Sequence, residues 1–129
     1  MTPVEQQFET LKTLSKCEKA TLKGLPSGAH LITIPDFKMP QGWNKDVVTI
    51  FFVTPPAYPA AQPDCFWLGP SGIRLANNGT PQNSNDTNPI PEVGGVGTWF
   101  SWHVQSWNPN SDSLVTFFNV IMQRLRPAR

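Results

Sequence analysis

The chain predicts an α+β domain: an N-terminal helix, a four-stranded antiparallel meander, a long loop over 69–97 and a C-terminal helix. Three observations carry this. Apolar residues recur at helical spacing near both ends, β-branched and aromatic runs fill the middle, and a connection rich in Gly, Pro, Asn and Ser precedes the last aromatic run. At 129 residues the chain suits one domain, 1–129, able to bury a core without disulfide support.

Val4, Phe8, Leu11 and Leu14 lie on one stripe, and Pro3 stands where a first helical turn accepts it, so a helix is expected from Val4 to about Leu22. Gly24 and Pro26 end it. The runs 30–34, 47–53 and 65–68, separated by Gly42-Trp43-Asn44 and Pro55-Pro56, read as antiparallel strands, and the aromatic run around Trp99 and Trp102 as an extended strand after the loop. A connection as long as 69–97 inside a small domain reads as a functional loop or lid. In the final helix Ser111 or Asp112 serves as cap, and Leu114, Phe118, Ile121 and Leu125 form one stripe widened by Phe117. Arg124 and Arg126 suit the C-terminal end of that helix and need no partner there.

Composition excludes several classes. With a net charge of +1 and no basic run, the chain lacks the clustered cations that displace counterions from nucleic acid. Its start has no secretory pattern, and no apolar run is long enough for a bilayer, so a cytoplasmic protein with no membrane partner is expected. The two cysteines, Cys17 and Cys65, show no metal-ligand spacing and read as packed free thiols. No metal site is expected from them.

Chemistry concentrates in 97–109. Ser101 and His103 stand two apart among Trp99, Phe100, Trp102 and Trp107, and in an extended segment that spacing puts both side chains on one face. A serine hydroxyl is not ionised at neutral pH and must lose its proton to a positioned base as it attacks, and imidazole titrates in the range such a base needs.

The order of motifs now carries a resemblance. Pro56, Tyr58, Pro59, Pro63 and Phe66 stand as P-x-Y-P-x-x-x-P-x-x-F, and Trp107-Asn108-Pro109 precedes the final helix. Both resemble signatures of the ubiquitin-conjugating (UBC) fold, the second in place of W-S-P. The resemblance runs from about Val4 to Leu125 and implies a UBC-like domain with an active-site loop over 69–97.

Two departures matter. The window where that family carries its cysteine, 99–102 here, has none, and the upstream His-Pro-Asn motif is missing, with Asn77 and Asn78 its nearest substitutes. A prokaryotic branch of the superfamily is similar in lacking the upstream histidine and having one downstream of the nucleophile, as His103 stands to Ser101. The resemblance implies an acyl carrier that receives a ubiquitin-like protein from an activating enzyme and passes it to an amine of a protein substrate, and, since ATP spent by the activating enzyme supplies the energy, it implies no metal or cofactor. Ser101 would hold the nucleophile position, natively or in place of a cysteine, with His103 as base and Asn77 or Asn78 as oxyanion donors. The alternative it leaves open is an inactive module that binds a ubiquitin-like protein or activating enzyme.

Overall fold

A capping box starts the first helix, α1 (Pro3–Leu11): Thr2 N donates to Glu5 Oε1 at 2.9 Å and Glu5 N donates to Thr2 Oγ1 at 3.2 Å. Val4, Phe8 and Leu11 are its buried stripe. The helix ends at Leu11, well short of the expected Leu22. Thr13 Oγ1 donates to Thr10 O at 2.6 Å and Thr10 Oγ1 to Gln6 O at 3.4 Å, so hydroxyls take carbonyls of the last turn, and Leu14 is extended. A 3-10 turn, Ser15–Cys17, follows and carries the wholly buried Cys17, which therefore lies beyond the first helix and not on it.

The computed structural model describes residues 1–95 and 97–129. Its strands are β1 (Thr21–Gly24), β2 (His30–Lys38), β3 (Val47–Thr54), β4 (Phe66–Gly69), β5 (Ser84–Asn85) and β6 (Thr98–Phe100). They form one antiparallel sheet in the order β1-β2-β3-β4-β6-β5. The expected four strands thus become six. The apolar runs correspond to β2, β3, β4 and β6, while β1 and β5 are short polar edges whose extended form comes from their partners rather than from any apolar alternation of their own.

After β4 the chain goes out to the far edge as β5 and returns between β4 and β5 as β6. That return forces a close approach: a Cβ on Gly97 would lie 2.3 Å from Leu68 O, so only glycine fits there.

The second helix, α2 (Leu114–Leu125), is capped by Ser113, whose N donates to Thr116 Oγ1 at 3.0 Å, and not by Ser111 or Asp112. Asp112 instead accepts from Asn108 N at 2.7 Å, closing the Asn108-Pro109 turn. Leu114, Phe117, Phe118, Ile121 and Leu125 are buried against the sheet. Both helices pack on one sheet face over Ile32, Ile34, Ile50, Phe52, Phe66, Leu68 and Phe100. Phe66 and Phe100 stack at 5.0 Å between centroids, and Phe52 meets Phe117 at 5.0 Å. No helix among the described residues is long and apolar enough to cross a membrane.

The connection between β4 and β6 is tied down by side chains more than by strands. Ile90, 1% exposed, plugs a second cluster of Leu25, Ala29, Leu31 and Trp67 on the other sheet face. Trp67 Nε1 donates to Asn88 O at 2.8 Å, and Ser27 donates to the Glu92 carboxylate through N at 3.0 Å and Oγ at 2.6 Å. Asp86 accepts from Thr98 Oγ1 at 2.5 Å, Gly72 N at 3.0 Å and Arg74 Nη2 at 2.5 Å. Burial would raise the Asp86 carboxyl, but the hydrogen bonds from Thr98, Arg74 and Gly72 and the Arg74 charge outweigh it and hold it down at about 2.

A depressed carboxyl adds stability above its unfolded value of about 4 and loses it as pH falls toward about 2. Asp86→Asn should therefore lower unfolding free energy near pH 7 by on the order of 1 kcal/mol, the pair being partly exposed and screened. Urea titrations of both proteins should converge as pH drops from about 4 to about 2. A gap that stays constant over that range would show that Asp86 acts through its shape alone.

Candidate functional site

Each segment around Ser101 is held by a different part of the chain. Ser101 follows β6 directly, half-buried, and its N–H donates to Asn83 O at 2.9 Å, one residue before β5. On the other flank, Phe66 pairs with Phe100, so Cys65 and Ser101 are the next positions of those two strands. Phe100, Trp102 and Val104 pack on the helix-side cluster, Ser101 is half-buried and His103 is exposed.

The strand does not continue as a ladder beyond Phe100. The side chain of Gln62, from the proline-rich turn between β3 and β4, substitutes for a strand: Val104 N donates to Gln62 Oε1 at 2.8 Å and Gln62 Nε2 donates to Val104 O at 2.9 Å. Both backbone groups of Val104 are thereby satisfied by one amide. Trp107 Nε1 donates to Pro59 O at 2.8 Å and its ring tilts against Tyr58 at 5.8 Å. Tyr58 OH donates to Gln7 Oε1, which also accepts from Leu114 N at 3.1 Å, so one glutamine ties α1, the proline turn and the start of α2 together. Burial pushes the Tyr58 hydroxyl well above its usual range, and the nearby Asp112 charge adds to it.

Gln62 and Cys65 also line a mostly apolar cleft of about 210 Å³ with Val53, Pro55, Asp64, Trp67 and Pro91. Cys65 is partly exposed there, and burial pushes its thiol up, opposite to the change that would activate it. Burial likewise pushes the Cys17 thiol up to about 11.

Asn77 and Asn78 form a tight turn in which Asn78 N donates to Leu75 O at 2.8 Å, Leu75 N to Gly79 O at 2.9 Å, and Gly79 N to Asn77 Oδ1 at 2.9 Å. The Asn77 carbonyl oxygen is thus occupied by its own turn. Among the described residues no hydrogen bond joins Ser101 to His103, or either to Asn77 or Asn78. The loop residue that reaches Ser101 is Asn83, through its carbonyl. Also among the described residues, no group of three His, Cys, Asp or Glu side chains is placed to hold a metal ion.

Arg124 is the largest departure from the expectations drawn from sequence. It is 0% exposed in the last turn of α2, where a basic helix end that needs no partner was expected. Its Nη2 donates to Gln82 O at 2.7 Å and Arg129 O at 2.9 Å, while Nε and Nη1 have no partner among the described residues. The guanidinium lies 5.1 Å from the Phe100 ring, 5.4 Å from Trp102 and 5.9 Å from Trp43. Burial, and then the neighbouring Arg129 charge, lower its pKa to about 10. No local pattern marks it, since Gln82, Trp43 and the two aromatic residues around Ser101 come from three distant segments.

The model of Prokaryotic E2 family E matches residues 13–128, the whole sheet and α2. The chain belongs to that family. Searches of curated proteins and of solved structures give no match. Family membership makes this an E2-like protein of the prokaryotic type, and its sheet with two helices on one face is consistent with an E2-like fold. The matched span contains Ser101, His103, Asn77 and Asn78, and the match itself assigns a role to none of them.

Proposed function

We propose that this E2-like chain is an acyl carrier for a ubiquitin-like protein in the prokaryotic cytoplasm, a single UBC-like domain over 1–129 with Ser101 as the carrier residue. In this reading Ser101 Oγ attacks the thioester carbonyl on the activating enzyme, the new C–O bond forms, the C–S bond breaks and the sulfur leaves. His103 takes the hydroxyl proton and returns it to the departing sulfur. In the second step an amine of a protein substrate attacks the ester carbonyl, the C–N bond forms, the C–O bond to Ser101 breaks, and the proton lost by the amine passes to Ser101 Oγ. ATP spent by the activating enzyme drives the sequence, so the carrier itself needs no metal or cofactor.

The observation that supports this most is the position of Ser101: a half-buried hydroxyl at the end of β6, its amide fixed on Asn83 O, with an exposed imidazole two residues on. The alternation of Phe100, Trp102 and Val104 into the helix-side cluster supports a common outward face for Ser101 and His103. Asn77 and Asn78 are both exposed, and the turn engages only the Asn77 carbonyl oxygen, so the side-chain NH2 of either is the group that would donate to an oxyanion. Whether serine is the native residue does not alter the geometry.

The second reading, a module that binds a ubiquitin-like protein or activating enzyme without chemistry, is favoured by the lack of a hydrogen bond between Ser101 and His103 among the described residues. Intact mass spectrometry separates the two. With ATP, the activating enzyme and the ubiquitin-like protein supplied, the carrier gains one ubiquitin-like mass through a bond that resists mild thiols and yields to hydroxide. Cys17→Ala and Cys65→Ala should keep that adduct, because neither thiol is activated, and Cys17→Ala should lose on the order of 1–2 kcal/mol of stability as a buried side chain is trimmed. Binding without any adduct would make the chain a module. An adduct lost in Cys65→Ala would move the carrier one strand over.

A further inference from the structure

We propose that Arg124 is the positioning residue of the Ser101 segment: its guanidinium is the hub on which the rings either side of Ser101 and the strand beside it are fixed. The inference rests on Ser101 being the reacting position.

Ser101 has little secondary structure of its own. β6 ends at Phe100, and what restrains Ser101 is the side chain before it, the side chain after it, and Asn83 O, which accepts its N–H at 2.9 Å. All three lead to Arg124. The cation lies 5.1 Å from the Phe100 ring and 5.4 Å from the Trp102 ring, with Trp43 closing the third side at 5.9 Å. Its Nη2 donates at 2.7 Å to Gln82 O, the carbonyl directly before Asn83, and at 2.9 Å to Arg129 O, which also accepts from Gln82 N at 3.3 Å.

Simple fold stability does not explain a charge in this place. Arg124 is fully buried, its Nη2 alone reaches backbone oxygens, and Nε and Nη1 lack partners among the described residues. Replacing buried charged groups by well-packed apolar side chains of similar volume is often neutral or stabilising. The planar fork does what an apolar side chain cannot, meeting three rings and the backbone oxygens of Gln82 and Arg129 at once. A lysine, with one compact ammonium, meets only part of that set.

The test is amide hydrogen exchange of Arg124→Met and Arg124→Lys, read by NMR alongside thermal melts. Arg124→Met should melt near or above the parent, while the Ser101 amide exchanges about tenfold faster or more and amides of β2 and β3 stay within about twofold, the pattern of local opening. Arg124→Lys should fall between parent and Met. In the reconstituted transfer, Arg124→Met should lower the maximal rate of adduct formation without changing the activating-enzyme concentration needed for half of it.

Unchanged Ser101 exchange in Arg124→Met overturns the proposal. So does a uniform rise across β2, β3 and Ser101, which marks a purely structural residue, and so does failure of both variants to fold. If Arg124→Met alone fails to fold, unchanged Ser101 exchange in Arg124→Lys overturns it. Exchange needs no chemistry, so it is read separately from the carrier reading: local loosening at Ser101 without any adduct on the parent keeps Arg124 as the hub and removes the carrier function.

Discussion

Ser101→Ala should abolish the covalent adduct with the ubiquitin-like protein, and Ser101→Cys should restore it as a thioester that mild thiols cleave. A thiol of ordinary pKa of about 8.5 already offers a few per cent of thiolate near pH 7, whereas a hydroxyl depends on a base throughout. His103→Ala should therefore slow the serine form by about 10²-fold or more and the cysteine form by less than about tenfold, in keeping with the usual yield of general-base assistance. The measurement is single-turnover discharge from the loaded activating enzyme, followed by intact mass. Equal slowing of both forms would show that His103 holds the segment or a partner instead of moving the proton. The exposure of His103 favours the proton role, because no packing contact is lost when an exposed ring is removed.

How far the sequence could be read depends on how local each cause is. The stripe of Leu114, Phe118, Ile121 and Leu125 is a period-3.6 pattern inside twelve residues, and burial follows it. The runs that become β2, β3 and β4 signal themselves in the same way through β-branched and aromatic content. The stripe from Val4 to Leu14 overstates its helix because two threonine hydroxyls near Leu11 take backbone carbonyls, an effect that hydrophobic spacing does not register. β5 is two residues, Ser84 and Asn85, that are extended only because β6 lies beside them.

The site was less legible still. Ser101 and His103 were visible as polar groups among tryptophans, but the groups that restrain the segment come from far away: Gln62 on Val104, Asn83 on Ser101, and Arg124 under Phe100 and Trp102. Asn77-Asn78-Gly79 is plainly a turn by composition, and the turn is what engages the Asn77 carbonyl oxygen. Arg124 had every local mark of a basic helix end that needs no partner. Its burial is decided by Trp43, Trp102 and the 82–83 segment, none of them readable from the helix.

Phe100→Ala is the substitution with the largest expected effect on stability, because Phe100 sits where the fold and the candidate site meet. The ring is 0% exposed, stacks on Phe66 at 5.0 Å, meets Trp43 edge-on at 6.1 Å and covers the Arg124 cation at 5.1 Å. Truncation of a buried phenylalanine costs about 3–5 kcal/mol through lost transfer energy and the cavity left behind. The upper part of that range applies here, since two aromatic contacts and one cation–π contact go with the ring. Against a total of about 5–15 kcal/mol for a domain, such a loss brings the chain near its unfolding threshold. For a chain of this size the melting temperature should fall by roughly 10–20 °C. Phe100→Leu keeps most of the volume and should lose roughly 1–2 kcal/mol. Phe51→Ala, trimming a half-buried ring on the other sheet face, should cost less than Phe100→Ala. A Phe100→Ala loss below about 1.5 kcal/mol would mean that β6 is not clamped between Phe66 and α2, and the placement of Ser101 at the end of that strand would fall with it.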